Sequence, residues 1–263
     1  MRGISRRGLA VVVIWAALSW ATVLRAGEPV DLELLLAVDT SSSISAEEFT
    51  RQIDGLARAF GHPAIAAAIP KAGTRGIAVA LVQWAEVDRQ VMVIPWTRLR
   101  DGADARALAA QIAAVPRAIE GGATGLGAAV SYAAESLLSN RFDGARLVID
   151  ISGDGRANDG PIPTRARDRA VASGITVNGL VILDEIPLLD RYFRDTVIGG
   201  SGAFVMVADD WVDYAAAILE KLIKEISESP LAMRDVNGEG GVLAIRPEPS
   251  PGAYRGIATR LNQ

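Results

Sequence analysis

The hydrophobic pattern of this chain alternates between short continuous apolar runs and longer stretches of helical periodicity. Asp31–Val38 reads as a first strand, its apolar run Leu34-Leu35-Leu36-Ala37-Val38 ending on Asp39. Ser45-Ala46-Glu47-Glu48 then opens a helix, with Ser45 as cap and Glu48 placed to reach back to it. Phe49, Ile53, Leu56 and Phe60 follow at helical spacing up to the breakers Gly61-His62-Pro63. Ile65–Ile69 reads as a short turn, closed by Pro70. Gly76–Trp84 is a near-continuous apolar strand, the pattern of burial on both faces, and Val87–Ile94 is close enough to pair with it as a hairpin. Asp101–Val115 is predicted helical and ends at Pro116; Gly121–Gly125 is a loop; Leu126–Leu138 is helical again.

The second half repeats the alternation. Arg146–Ser152 is a strand, followed by Gly153-Asp154-Gly155. Pro163–Ala172 is a helix, Gly174–Leu183 a strand, Pro187–Val197 a short helix and Ala203–Val207 a last strand. Asp209–Ile226 is a long amphipathic helix capped by Asp209 or Asp210, with Trp211, Tyr214, Ala215, Ile218, Leu222 and Ile226 toward the sheet. Strands and helices in turn predict an α/β fold: a doubly wound, mainly parallel sheet with one antiparallel edge strand and helices on both faces. From Pro230 the composition shifts to Pro247, Pro249, Pro251, Gly238, Gly240, Gly241 and Gly252, so residues 230–263 read as a Gly/Pro-rich tail in which Val242–Ile245 is a candidate strand.

The N-terminus changes the picture of compartment. Met1–Gly8 is basic, Leu9–Leu24 is a run of 16 residues that is apolar but for Ser19 and Thr22, and Ala26-Gly27 offers small residues for cleavage. This is a three-part export signal over residues 1–27, and the apolar run falls short of the roughly 20 residues a spanning helix needs. Ser5-Arg6-Arg7-Gly8-Leu9 resembles a twin-arginine signal. The expected location of the domain, residues 28–229, is periplasmic or secreted, with membrane attachment only where the N-terminal segment stays uncleaved. Four of the 27 basic residues lie in that segment without an acid, so the formal net charge of -4 for the whole chain becomes -8 without it. An acidic domain argues against nucleic acid as a partner. The chain has no cysteine, which removes disulfides, zinc thiolates and iron–sulfur clusters.

Candidate chemistry gathers at three loops. Asp39, Ser41 and Ser43 follow the first strand and are expected to stand exposed beyond it. Thr124 sits in a glycine-rich turn before a helix, and Asp154 follows the Arg146–Ser152 strand. If those two strands are neighbours, all three loops meet at the carboxyl edge of the sheet, where ligands bind in open α/β folds. Two carboxylates and three hydroxyls are hard oxygen donors suited to Mg²⁺, or to Mn²⁺ or Ca²⁺. Such a set of five oxygens keeps an open position on the ion that favours an incoming carboxylate.

This pattern resembles the von Willebrand factor A domain and its metal-ion-dependent adhesion site. That family carries Asp-x-Ser-x-Ser after the first strand, a threonine in a second loop and an aspartate in a third. Asp39, Ser41 and Ser43 match the first part, Thr124 in Gly122-Ala123-Thr124-Gly125 the second, and Asp154 in Ser152-Gly153-Asp154-Gly155 the third. The family more often has Thr-Asp-Gly or Ser-Asp-Gly there, whereas this chain places Gly153 between Ser152 and Asp154. The resemblance covers residues 30 to 227, and the whole chain also resembles a bacterial group of exported proteins with an A-like domain. It implies a non-enzymatic module that holds one cation through Asp39, Ser41, Ser43, Thr124 and Asp154 and grips an aspartate or glutamate of a protein partner.

Rival chemistries have less behind them. A serine hydrolase needs a base, and the single histidine, His62, lies in a Gly-His-Pro turn. No phosphate-binding Gly-x-x-x-x-Gly-Lys run is present. A Mg²⁺-dependent phosphoester hydrolase using Asp39 as nucleophile is the fairer alternative, although Ser41 stands where such enzymes usually carry a second acid. Trp84 and Trp96 beside the hairpin read as packing, and Arg165, Arg167 and Arg169 as a solvated helix face.

Overall fold

The computed structural model describes residues 27–184, 186–227 and 243–245. The expected export segment, apart from Gly27, and the tail, apart from 243–245, lie outside the described residues. Among the described residues no helix is long and apolar enough to cross a membrane.

The elements in chain order are β1 (Glu28–Val30), β2 (Leu32–Asp39), α1 (Ala46–Gly61), α2 (Pro63–Ala72), β3 (Ile77–Trp84), β4 (Gln90–Leu99), α3 (Gly102–Ala113) and α4 (Leu126–Ser139). They continue with β5 (Phe142–Gly144), β6 (Leu147–Gly153), α5 (Pro163–Ala172), β7 (Ile175–Ile182), α6 (Leu189–Thr196), β8 (Phe204–Ala208), α7 (Tyr214–Ser227) and β9 (Leu243–Ile245). The main sheet has seven strands in the order β4-β3-β2-β6-β7-β8-β9. All its pairings are parallel except β3 with β4. This is the predicted doubly wound α/β sheet with one antiparallel edge.

Burial on both faces explains the unbroken apolar strands. In β2, Leu32, Leu34, Leu36 and Val38 enter the core under α1, α2, α3 and α7. Leu35 and Ala37 enter the opposite core with residues of α4, α5 and α6, including Leu126, Ala166 and Phe193. A strand with two buried faces cannot show a period of two, which is why its signal is a continuous run.

Four expectations need correction. Pro63 does not merely end α1: it is the first residue of α2, where its fixed φ suits a helix start and His62 Nδ1 accepts the Ala64 amide at 3.2 Å. The segment expected as a short turn is therefore a helix of 10 residues that contains Pro70. The hairpin's second strand runs to Leu99 rather than Ile94, because Pro95 falls at an irregularity of the ladder on an edge strand, where a missing N–H costs no sheet bond. The last long helix begins at Tyr214; the Asp210 carboxylate first accepts the amides of Val212 and Asp213 in a preceding turn. The short pair β1–β5, three residues each, carries too little pattern to be read in advance.

Other local readings hold. Ser45 and Glu48 form a capping box at the head of α1. Trp84 is fully buried, and Trp96 Nε1 donates to Ser136 Oγ at 3.0 Å, so the pair serves packing. Leu243–Ile245 joins the sheet beside β8, inside the stretch predicted as a strand.

Candidate metal centre

β2 and β6 are neighbours in the sheet, with Val38 opposite Ser152. Their carboxyl ends therefore release the first and third candidate loops side by side. Asp39 is the last residue of β2, and its Oδ1 accepts the Ser41 amide at 2.7 Å, which turns the chain sharply. That turn brings Ser41 Oγ within 3.2 Å of Ser43 Oγ, and Ser43 Oγ donates to Asp154 Oδ1 at 2.8 Å. Residues 111 positions apart are thus in direct contact.

The second loop closes on both of the others. The Ser42 amide donates to the Gly122 carbonyl, and the Gly122 amide donates to Ser42 Oγ, each at 2.9 Å. Gly121 and Gly122 have φ of 69° and 116°, a backbone region that glycine enters without strain. Thr124 donates its amide to Asn158 Oδ1 at 2.8 Å and accepts the Asn158 amide at 3.1 Å, which ties it to the loop carrying Asp154. It also lies against Gly155, where a Cβ would come 3.6 Å from Thr124 Oγ1.

The side chains are less exposed than the sequence suggested. Asp39 is 0% and Ser41 1% exposed, with Thr124 and Asp154 at 6% and 4%; Ser43 alone of the five is exposed. The loops fold over one another, so Asp39 and Ser41 are covered by neighbouring loops while Ser43 stays exposed as expected. Gly153 does not carry Asp154 away from the cluster. β6 continues through Gly153, and a Cβ there would sit 3.1 Å from Asp39 Oδ2. The missing side chain makes room for the Asp39 carboxylate.

Electrostatics mark Asp39 as the uncompensated group. Burial pushes its carboxyl up to about 7; bonds from Ser41 oppose this, the Asp154 charge adds to it, and the Arg117 guanidinium eases it. Its Oδ2 is buried and has no hydrogen-bond partner. A buried oxygen with an unspent lone pair, in one cluster with the oxygens of Ser41, Ser43 and Asp154 and with Thr124 on the adjoining loop, fits a hard divalent cation. Among the described residues no three His, Asp or Glu side chains gather as metal ligands. The oxygen set here draws on serine and threonine for its remaining members.

Several supporting residues were not singled out by sequence reasoning. Gln52, fully buried on α1, donates to the Asp39 carbonyl at 3.0 Å and accepts from Ser152 Oγ at 3.0 Å, so it bridges the ends of β2 and β6. A glutamine on the apolar face of an amphipathic helix was its signal. Gln83 has a similar one, a lone polar residue in Ala-Leu-Val-Gln-Trp. Arg117 and Asn158 sit in irregular loops and carried none.

The family model described as "Protein of unknown function (DUF1194)" matches residues 29–230. The chain belongs to that family. No curated protein matches the sequence. Among solved structures, proximal thread matrix protein 1 (PTMP1) from the mussel byssus superimposes with a TM-score of 0.55 at 18% identity, over 77% of this chain and 48% of that one. A structure of the same mussel protein with a zinc-occupied MIDAS motif gives 0.54 at 20% identity, over 77% and 50%. The open conformation of the pilus adhesin SpaC from Lactobacillus rhamnosus GG gives 0.54 at 14% identity, over 74% and 30%. The chain spans about half the length of the mussel protein and under a third of the adhesin. Likeness at these identities is likeness of fold, and this family member has the von Willebrand factor A fold.

Proposed function

We propose that residues 28–229 form an exported protein-interaction module that holds one divalent cation through Asp39, Ser41, Ser43, Thr124 and Asp154. The observation that carries this reading is the buried, unpartnered Oδ2 of Asp39 at the junction of three cross-linked loops. The cation, Mg²⁺ with Mn²⁺ or Ca²⁺ as substitutes, takes six or more oxygen ligands, so these five side chains leave a coordination position open. A carboxylate from a partner protein's aspartate or glutamate fills that position. The mussel protein with zinc in its MIDAS motif is a precedent for metal on this fold.

Residues 1–27 direct export to the periplasm or the exterior in this reading, and residues 230–263 are a tail outside the module. The role is binding and not catalysis. Asp39 Oδ1 is engaged by the Ser41 amide, and Ser41 occupies the place of the second acid that an aspartate-based phosphotransferase uses. Calorimetry with Mn²⁺ on the full chain and on Asp39→Ala tests the site: one ion bound by the first and none by the second is expected. Equal heats from both sink the assignment. A Mg²⁺-dependent turnover of a generic phosphoester, lost in Asp39→Asn, would replace it with the hydrolase.

A further inference from the structure

We infer that Arg117 is the positioning residue of the candidate metal centre: it moulds the Asp39–Ser43 loop around its guanidinium and thereby sets how tightly that loop holds a cation. This rests on the metal-site reading above.

The Nη2 atom of Arg117 donates to three backbone carbonyls of one loop, Thr40 at 3.0 Å, Ser41 at 3.3 Å and Ile44 at 2.8 Å. These residues interleave with Ser41 and Ser43, whose hydroxyls are proposed ligands. Carbonyl dipoles pointing inward to one spot repel each other, so a loop of this shape needs a positive donor at its centre. A guanidinium is suited to that place, because its planar, fixed array of N–H groups serves several acceptors at once. The guanidinium carbon lies over the Phe49 ring, 5.6 Å from its centroid, a cation–π contact that holds the arginine against α1.

Arg117 is itself held from the sheet. Gln83, fully buried on β3, donates Nε2 to the Pro116 carbonyl at 2.8 Å and accepts the Ala118 amide at 2.7 Å. One side chain thus pins the backbone on either side of residue 117. Arg117 Nε closes the unit by donating to the Ile119 carbonyl at 3.1 Å. Gln83 pairs in register with Val38, the residue before Asp39. The brace therefore runs from the strand beside β2, through Arg117, back to the loop that β2 releases.

Charge and geometry make opposite demands here, which makes the role testable. A cation beside a metal site repels the incoming ion, so removing Arg117 for charge alone tightens binding. Removing it for geometry loosens binding, because the three carbonyls no longer share a centre and the serine hydroxyls lose their spacing. Outer-shell partners of metal ligands commonly change affinity by about 10–100-fold.

The experiment uses the full chain, Mn²⁺ calorimetry and thermal melting in chelator. Arg117→Gln is expected to weaken Mn²⁺ about tenfold or more, still at one ion per chain. Arg117→Lys, which keeps the charge but not the fork, is expected to fall between Arg117→Gln and wild type. If Arg117→Gln does not fold, Arg117→Lys decides alone: affinity below wild type supports the inference. Affinity equal to or tighter than wild type in either variant overturns it, even where melting in chelator is lowered, since that pattern means a structural part only. No Mn²⁺ heat from wild type overturns the metal reading itself, and the inference with it.

Discussion

β6 and the loop that follows it carry two buried aspartates four residues apart, Asp150 and Asp154, and they meet opposite fates. Asp150 lies under α7, where Lys221 Nζ stands 2.7 Å from its Oδ1 and also pairs with Glu225. Asn178 donates to Glu225 Oε1 at 2.9 Å, and all four side chains are at most 3% exposed. Burial raises the Glu225 carboxyl, with the Asp150 charge adding and Lys221 opposing. Asp154, at the rim, shares its surroundings with Asp39 instead. Each cluster contains two carboxylates, and each leaves carboxylate oxygens unbonded: Asp150 Oδ2 and Glu225 Oε2 in one, Asp39 Oδ2 in the other. The core cluster, however, contains a lysine of its own. At the rim the nearby cation, Arg117, spends its donors on backbone carbonyls. An unbonded oxygen is therefore not what distinguishes a site awaiting an ion. The distinction is contact: Lys221 pairs directly with both core carboxylates, whereas Arg117 eases the Asp39 charge without an ion pair to it.

The comparison can be broken most forcefully in the core. Lys221→Ala strands two buried carboxylates and is expected to cost about 3–5 kcal/mol. At about 2–4 °C per kcal/mol for a domain of this size, the melting temperature falls by roughly 10 °C. Mn²⁺ is expected to raise wild type and variant alike and leave the gap between them; a gap that the ion closes would mean the two clusters are one electrostatic unit. Asp39→Ala is the mirror experiment. It should remove Mn²⁺ binding, a change of at least about a hundredfold, while melting in chelator is unchanged or higher, because an uncompensated buried charge has gone.

Acidity sharpens the contrast. Without an ion, the folded protein holds the Asp39 proton up to about pH 7, well above the ordinary 3.8. A raised carboxyl favours the folded state below the unfolded value, and that contribution is lost as pH rises through about 7. The ion must displace this proton, so Mn²⁺ affinity should fall by up to about tenfold per pH unit below 7 and level off above it. Calorimetry from pH 5.5 to 8 checks this, and a flat profile would mean that Asp39 is ionised before the ion arrives.

Two smaller effects complete the series. Thr124→Val keeps the shape but loses the hydroxyl, and a loss of a few-fold in Mn²⁺ affinity with unchanged melting is expected, because one neutral oxygen among five is replaceable by water. Smallest of all, neutralising the core cluster as a set, Asp150→Asn with Lys221→Met and Glu225→Gln, should change stability by no more than about 1 kcal/mol, since a buried ion group replaced whole is often neutral. Chemical denaturation measures it, and a large loss would show that the ion group carries stability that its desolvation does not cancel.

Sequence legibility followed the same division. The candidate rim residues stand out in the sequence because Asp39, Ser41, Ser43, Thr124 and Asp154 break apolar or glycine-rich segments in a way no core requires. Asp150 breaks its strand just as plainly, yet its partners Lys221 and Glu225 lie on a helix about 70 residues later, at an i, i+4 spacing that solvated helix faces also carry. The strand end at Ile94 and the breaker role of Pro63 differ from the structure for a related reason. Proline marks a constraint on φ and a missing donor, but whether that ends an element depends on whether the ladder or helix needs the donor at that place.

What the chain fixes locally is therefore its alternation of strands and helices, the capping box at Ser45 and the choice of candidate oxygen donors, because each depends on neighbours within a few residues. Only the folded sheet decides that β2 and β6 lie side by side, that Asp39 is buried and not exposed, and that Arg117 reaches three carbonyls more than 70 residues earlier. Such facts depend on long-range register and on which charges share a low-dielectric space, and no short window of sequence encodes either.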